Sequence, residues 1–126
     1  VISVHVPLVA GTRHMLGARE FALMKRGAFV VNTSRGPVID QAALLDALTS
    51  GTIAGAGLDV FEFEPLPSDD PLRSLDNVVI TPHLAWYSEE SHRRVRIDAS
   101  RAVHDVLTGK RPEFVANPEV FGARKP

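Results

Sequence analysis

Arg35, Glu64 and His83 are the residues of this chain best equipped for proton chemistry, and each stands beside a residue that breaks regular structure. They fall in the segments Asn32-Thr33-Ser34-Arg35-Gly36, Asp59-Val60-Phe61-Glu62-Phe63-Glu64-Pro65 and Thr81-Pro82-His83. A guanidinium fork matches a carboxylate in a bidentate manner and polarises a neighbouring carbonyl. A carboxylate beside an imidazole fixes the ring tautomer and stabilises the protonated form, which suits a general acid working near neutral pH. Such a trio can bind an acid, orient an imidazole and move a proton. Each member also has a plainer reading. Taken alone, Arg35 is best read as an exposed loop arginine. Glu64 and His83 can equally be a loop glutamate and a strand-end histidine that never meet, although Pro65 and Pro82 stiffen the backbone at both sites. Asp59 is as well suited to a turn or a helix cap as to accepting a hydrogen bond from a ligand amide.

The elements that position these residues are legible. Val1–His5 is short, apolar and β-branched, as a buried strand should be, and Pro7 and Gly11 end it. A helix is expected over Ala18–Lys25, stopped by Gly27, and a second strand over Ala28–Val31. Asp40 can cap the next helix, whose apolar face is Ala43, Leu44, Ala47 and Leu48, closed by Gly51. Ile53–Val60 reads as a third strand, and its small residues Ala54, Gly55, Ala56 and Gly57 allow another backbone or a flat ligand to come close. After a Pro/Asp loop over Glu64–Pro71, Val78–Ile80 is the fourth strand. Ser88 caps a long helix through Leu107 with an apolar stripe at Val95, Ala99, Ala102, Val103, Val106 and Leu107. The last ten residues read as a loose tail.

Apolar strands alternating with helices predict a parallel sheet covered on both faces. Ligands of such sheets sit beyond the carboxyl ends of the strands. His5, Arg35, Asp59 and His83 each lie at or just past such an end, so four strands deliver polar residues to one edge.

Bulk properties narrow the classes further. The chain has 126 residues, 44% hydrophobic and 23% charged, which suits one globular domain. A net charge of −1 gives no electrostatic grip on nucleic acid or an anionic membrane. The absence of cysteine excludes disulfides and thiolate metal sites and fits a reducing cytoplasm. No metal is expected, because His14, His92 and His104 lack ligand spacing and are read as facing solvent. Arg93, Arg94, Arg96 and Arg101, near Glu89, Glu90, Asp98 and Asp105, read as a solvated helix face. No apolar run is long enough to span a bilayer. The first residues are not a signal peptide, and a start inside a strand-like run suggests that an upstream part is missing.

The motifs in order are His5-Val6-Pro7-Leu8, Leu23-Met24-Lys25-Arg26-Gly27-Ala28, Asn32-Thr33-Ser34-Arg35-Gly36, Gly55-Ala56-Gly57-Leu58-Asp59-Val60-Phe61 with Glu64-Pro65, and Thr81-Pro82-His83. From Val1 to about Pro112 this series resembles the D-isomer-specific 2-hydroxyacid dehydrogenases. The resemblance implies that Arg35 binds the substrate carboxylate and carbonyl, His83 donates or accepts the proton, and Glu64 orients His83. It implies NAD contacts at Val6, Pro7, Thr12, Thr33, Ser34, Arg35, Asp59 and His83, with Asp59 near the nicotinamide carboxamide. Residues 81–89 look most like the branch of the C-terminal-binding protein corepressors, where a tryptophan at the position of Trp86 lines the substrate pocket together with the arginine. Phosphoglycerate dehydrogenases usually carry small residues there. Formate dehydrogenases of the superfamily pair the histidine with glutamine, so Glu64 favours hydroxyacid chemistry.

One motif is missing. The Gly-x-Gly-x-x-Gly turn that rests pyrophosphate on a helix N-terminus is absent, and so is the acidic residue that selects the ribose. The cofactor implied is therefore NAD, with NADP not excluded. The fold implied is α/β: the C-terminal half of a Rossmann-like parallel sheet domain over residues 1–92, then a helix and tail over residues 93–126 returning to the substrate domain. The resulting expectation is a cytoplasmic, homodimeric oxidoreductase acting on a small 2-oxo or 2-hydroxy acid, with the isolated chain inactive. The alternative is a NAD(H)-sensing, corepressor-like scaffold with little turnover.

Overall fold

A computed structural model describes residues 1–123 of the chain. The chain divides into two compact units, the first being Val1–Ala85 and the second beginning at Trp86.

The first unit is built on four parallel strands in sequence order: β1 (Ile2–Val4), β2 (Phe29–Asn32), β3 (Gly55–Leu58) and β4 (Val78–Ile80). The register aligns Val31 with Gly57 and Gly57 with Val79, and puts Val30, Ala56 and Val78 in the neighbouring row. Because side chains alternate along a strand, these rows face opposite sides of the sheet. Val4, Val30, Asn32, Ala56 and Leu58 are buried on one side. That side is covered by α1 (Ala18–Ala22) and α2 (Gln41–Thr49), which bring Phe21, Leu44, Ala47 and Leu48 to the core. Full burial of one such large apolar side chain contributes about 1.5–3 kcal/mol. The other side carries Phe29 and Val79, which are 50% and 69% exposed. Cover on both faces, as the apolar strands predict, is therefore not what the described residues provide: both helices of this unit pack on the same face.

Local chemistry sets the element ends. The Asp40 side chain accepts from the Ala43 N–H at 3.0 Å and starts α2. The expected helix to Lys25 stops at Ala22, because the Leu23 and Met24 amides bond back three residues instead of four, to Glu20 and Phe21. Short 3₁₀ turns at Gly36–Val38 and Pro71–Ser74 were not legible in the sequence. Gly55 matters for closeness: a Cβ there would lie 2.6 Å from the Asn77 carbonyl oxygen, so the small-residue strand does admit another backbone.

The second unit is mainly α3 (Glu89–Leu107), capped by a reciprocal pair in which Ser88 and Ser91 hydroxyls accept each other's amide. No residue of α3 is buried. Asp98 pairs with Arg94 and Arg101 on an exposed face, in keeping with a solvated reading of the arginines. A short helix, α4 (Val120–Ala123), replaces part of the expected tail, whose last three residues lie outside those described. Among the described residues, no helix is long and apolar enough to cross a membrane.

Candidate active site

All four strands are parallel, so their carboxyl ends share one edge, and His5, Arg35, Asp59 and His83 follow those ends. The structure joins two of the sequence candidates directly. His83 Nδ1 lies 2.7 Å from Glu64 Oε2. The other oxygen, Oε1, accepts the Phe61 amide at 3.0 Å, so both carboxylate oxygens of Glu64 are directed. Partial burial pushes the Glu64 carboxyl up. The hydrogen bonds from His83 and the Phe61 N–H, with the His83 charge, outweigh it and hold the group below its ordinary value. An ionised Glu64 can only accept, so Nδ1 donates and the ring tautomer is set from that side.

The backbone under His83 is held with equal care. His83 has φ of 55°, in the left-handed region that non-glycine residues rarely adopt. Strain of that kind costs about 1–3 kcal/mol and persists where the surroundings impose it. Asp59 imposes it. Its carbonyl accepts the His83 amide at 2.9 Å, and its carboxylate takes the Leu84 amide at 2.8 Å, the Ala85 amide at 2.9 Å and the Thr81 hydroxyl at 2.5 Å. Asp59 is 3% exposed. Burial raises its carboxyl, but these donors and the His83 charge bring it below its ordinary value. The carboxylate thus clamps the turn that carries His83, which is the turn role weighed for it from sequence.

Arg35 is exposed, and its Nη1 donates to the Ser34 carbonyl at 2.7 Å. Asn32 builds its turn. The buried Asn32 Oδ1 accepts the Ser34 amide and hydroxyl at 3.0 and 2.8 Å, while Nδ2 donates to the Arg35 carbonyl at 3.0 Å. That role was missed, although an asparagine two residues before a serine at a strand end is a known turn signal. Arg35 is linked to Glu64 through the backbone: a Cβ on Gly36 would lie 1.9 Å from the Phe61 carbonyl. Only glycine lets the arginine turn press against the residue that donates to Glu64.

The remaining candidates lie in nearby loops. Val6 is half-buried and Pro7 exposed, and the Thr12 hydroxyl closes their loop by donating to the Pro7 carbonyl at 2.6 Å and accepting the Val9 amide at 2.9 Å. Thr33 is exposed and the Ser34 hydroxyl is committed to Asn32. A cleft of about 610 Å³ borders the dyad, lined by Phe61, Glu64, Pro65, Arg73, Pro82 and His83, among others. Trp86 belongs to the second unit, where its ring meets Tyr87 edge-on with centroids 5.6 Å apart. His14 is exposed, as expected, and it also pairs with Glu62. Forty-eight residues separate the two, and no local pattern announces their meeting.

For a dinucleotide, these residues fit one half. Val6 and Pro7 offer an apolar ledge and Thr33 an exposed hydroxyl beside the dyad's edge, which suits a flat ring and its ribose. The α2 N-terminus is occupied by its own Asp40 cap, so it offers no phosphate cradle.

A family model described as "D-isomer specific 2-hydroxyacid dehydrogenase, NAD binding domain" matches residues 1–85. A glyoxylate reductase of Korarchaeum cryptofilum is 49% identical over 99% of this chain and 38% of its own length. A crystal structure of D-lactate dehydrogenase with NAD+ from Lactobacillus jensenii superposes with a TM-score of 0.82 at 35% identity, covering 91% of this chain and 38% of that one. A D-isomer specific 2-hydroxyacid dehydrogenase of Xanthobacter autotrophicus, solved with NADPH and MES, gives a TM-score of 0.77 at 40% identity over 94% of this chain and 48% of that one. The chain spans little more than a third of the length of the glyoxylate reductase it matches.

Proposed function

Since this chain belongs to the D-isomer specific 2-hydroxyacid dehydrogenases, by way of their NAD-binding domain, we propose that the protein carrying it interconverts a 2-oxo acid and a D-2-hydroxy acid with NAD(H) or NADP(H). The observation that carries this reading is the His83–Glu64 hydrogen bond at the carboxyl edge of the sheet. In the direction of reduction, His83 Nε2 gives a proton to the carbonyl oxygen as it gains charge; in oxidation it removes the hydroxyl proton. Glu64 keeps the ring in the right tautomer and stabilises the imidazolium. Arg35 binds the acid's carboxylate and polarises its carbonyl. The bound cofactor supplies the hydride, or takes it up, at the carbon that bears the oxygen.

Val6, Pro7, Thr12, Thr33 and Ser34 border the nicotinamide half of the cofactor, with Arg35, Asp59 and His83 closing that edge. The relative named glyoxylate reductase supports a short oxo acid such as glyoxylate as the first substrate to try. Solved neighbours carrying NAD+ in one case and NADPH in another support either nucleotide. The same names support turnover over a corepressor-like scaffold. A homodimer in the cytoplasm completes the proposal.

The test is His83→Asn in the full-length protein, assayed with short 2-oxo acids and both reduced nucleotides. General acid–base help is worth roughly 10²–10⁴-fold, and a loss of that size in kcat/KM is expected. Wild-type turnover in the variant would remove His83 from the chemistry.

A further inference from the structure

His14 and Glu62 form a second imidazole–carboxylate pair at the same edge of the sheet, joined through Nε2 and Oε1. His14 lies in the turn after β1, and its amide donates to the Pro37 carbonyl at 2.8 Å. Two further bonds stitch this turn to the segment just past Arg35: Leu16 amide to Val38 carbonyl at 3.2 Å and Asp40 amide to Leu16 carbonyl at 3.0 Å. Glu62 is held at its backbone as well, because its amide donates to Gln41 Oε1 at 3.2 Å and Gln41 Nε2 is tied to Asp70 at 2.9 Å. Two residues further on is Glu64, whose Oε1 is fixed by the amide of Phe61, the residue before Glu62. The turn from Phe61 to Glu64 is therefore pinned from three sides: Gly36 against Phe61, Gln41 on the Glu62 amide, and His14 on the Glu62 carboxylate.

Two observations argue that the imidazole does more than complete a turn. His14 has φ of 52°, a conformation that glycine or asparagine adopts more cheaply. Both partners are also partly exposed, with side-chain exposures of 43% and 21%, and pairs of that kind add little to global stability. The value of His14 must lie in what its side chain holds.

We propose that His14 is a positioning residue for the reaction: through Glu62 it fixes the loop that aims Glu64 at His83. It links the turn after β1, the arginine segment and the glutamate loop, so Arg35 and Glu64 share one brace and His83 meets it through Glu64. This inference rests on the reading of His83 and Glu64 as the proton-handling pair.

The experiment uses the full-length protein with His14→Asn, chosen because asparagine tolerates the left-handed backbone, and Glu62→Gln, alone and combined. Steady-state kinetics with glyoxylate and other short 2-oxo acids are paired with ¹H–¹⁵N spectra of the His83 ring, assigned by loss of its signals in His83→Asn. Each single variant should lower kcat on the order of tenfold, the scale expected for slight misplacement of a catalytic group. The double variant should be no worse than either single one. The KM for nucleotide should stay put, and the His83 Nδ1–H signal should shift or broaden. Unchanged kcat and unchanged His83 signals would overturn the proposal. So would a loss explained wholly by a lower Tm and fewer active sites, with kcat per site intact. If His14→Asn fails to fold, Glu62→Gln carries the same test. Full turnover by His83→Asn would instead strike the proposed function, whereas the His83 spectra report on the brace independently of activity.

Discussion

The two imidazole–carboxylate pairs share a plan and differ in their support. In both, a histidine with positive φ meets a glutamate from the single loop after β3. His83 stands on a turn clamped by the buried carboxylate of Asp59, and Glu64 has both oxygens directed. His14 stands on a turn held by main-chain bonds, and Glu62 is tethered at its amide. A pair that must keep its ring orientation while a proton moves needs side-chain charge on both flanks. A pair that only braces a loop can rely on backbone contacts. The contrast matches the roles proposed for them, one pair handling a proton and the other bracing a loop.

Breaking both pairs at once should have the largest effect. Gly36→Ala would put a Cβ 1.9 Å from the Phe61 carbonyl, where backbone must move, and Phe61 precedes both glutamates. Overpacking of this kind costs about 3 kcal/mol. Thermal unfolding should show that loss together with disappearance of activity; a variant as stable and active as wild type would mean the two turns do not depend on each other.

Next comes the difference between the glutamates. Glu64→Gln should lower kcat on the order of 10²-fold, in the range of acid–base assistance, against the smaller loss expected for Glu62→Gln. Equal losses from the two substitutions would mean that the two pairs do not differ in role.

The smallest effect concerns acid. The Asp59 and Glu64 carboxyls both lie below their ordinary values in the folded protein. The unfolded chain therefore binds protons at a higher pH than the folded one. The stability these groups contribute is complete above the unfolded values of 3.8 and 4.5, and is lost as pH falls through the folded values. Asp59→Asn should lower stability near neutrality by about 1–3 kcal/mol, because amides would be left poorly paired, and should flatten the acid limb of the stability curve. An unaltered limb, measured by chemical unfolding across pH, would assign the acid sensitivity elsewhere.

The order of elements was legible in the residues, for physical reasons that act locally. Asp40 starts α2 and Ser88 starts α3 because short polar side chains accept amides that a helix cannot satisfy itself. Leu44, Ala47 and Leu48 are buried because their spacing puts them on one helical face. Candidates at strand ends could be named, since parallel strands must place their carboxyl ends together.

Pairing was another matter. Nothing along the chain requires Glu64 to reach His83, Glu62 to reach His14, or Asp59 to spend its carboxylate on residues 81, 84 and 85. Those contacts join segments 19 to 48 residues apart. Local propensity has no range over such separations, so only the packing of three loops on one sheet edge decides them. By itself the sequence determined the strands, the caps and the kinds of residue at the edge. The tertiary structure decided which glutamate serves which histidine, because hydrogen bonds select by distance and direction.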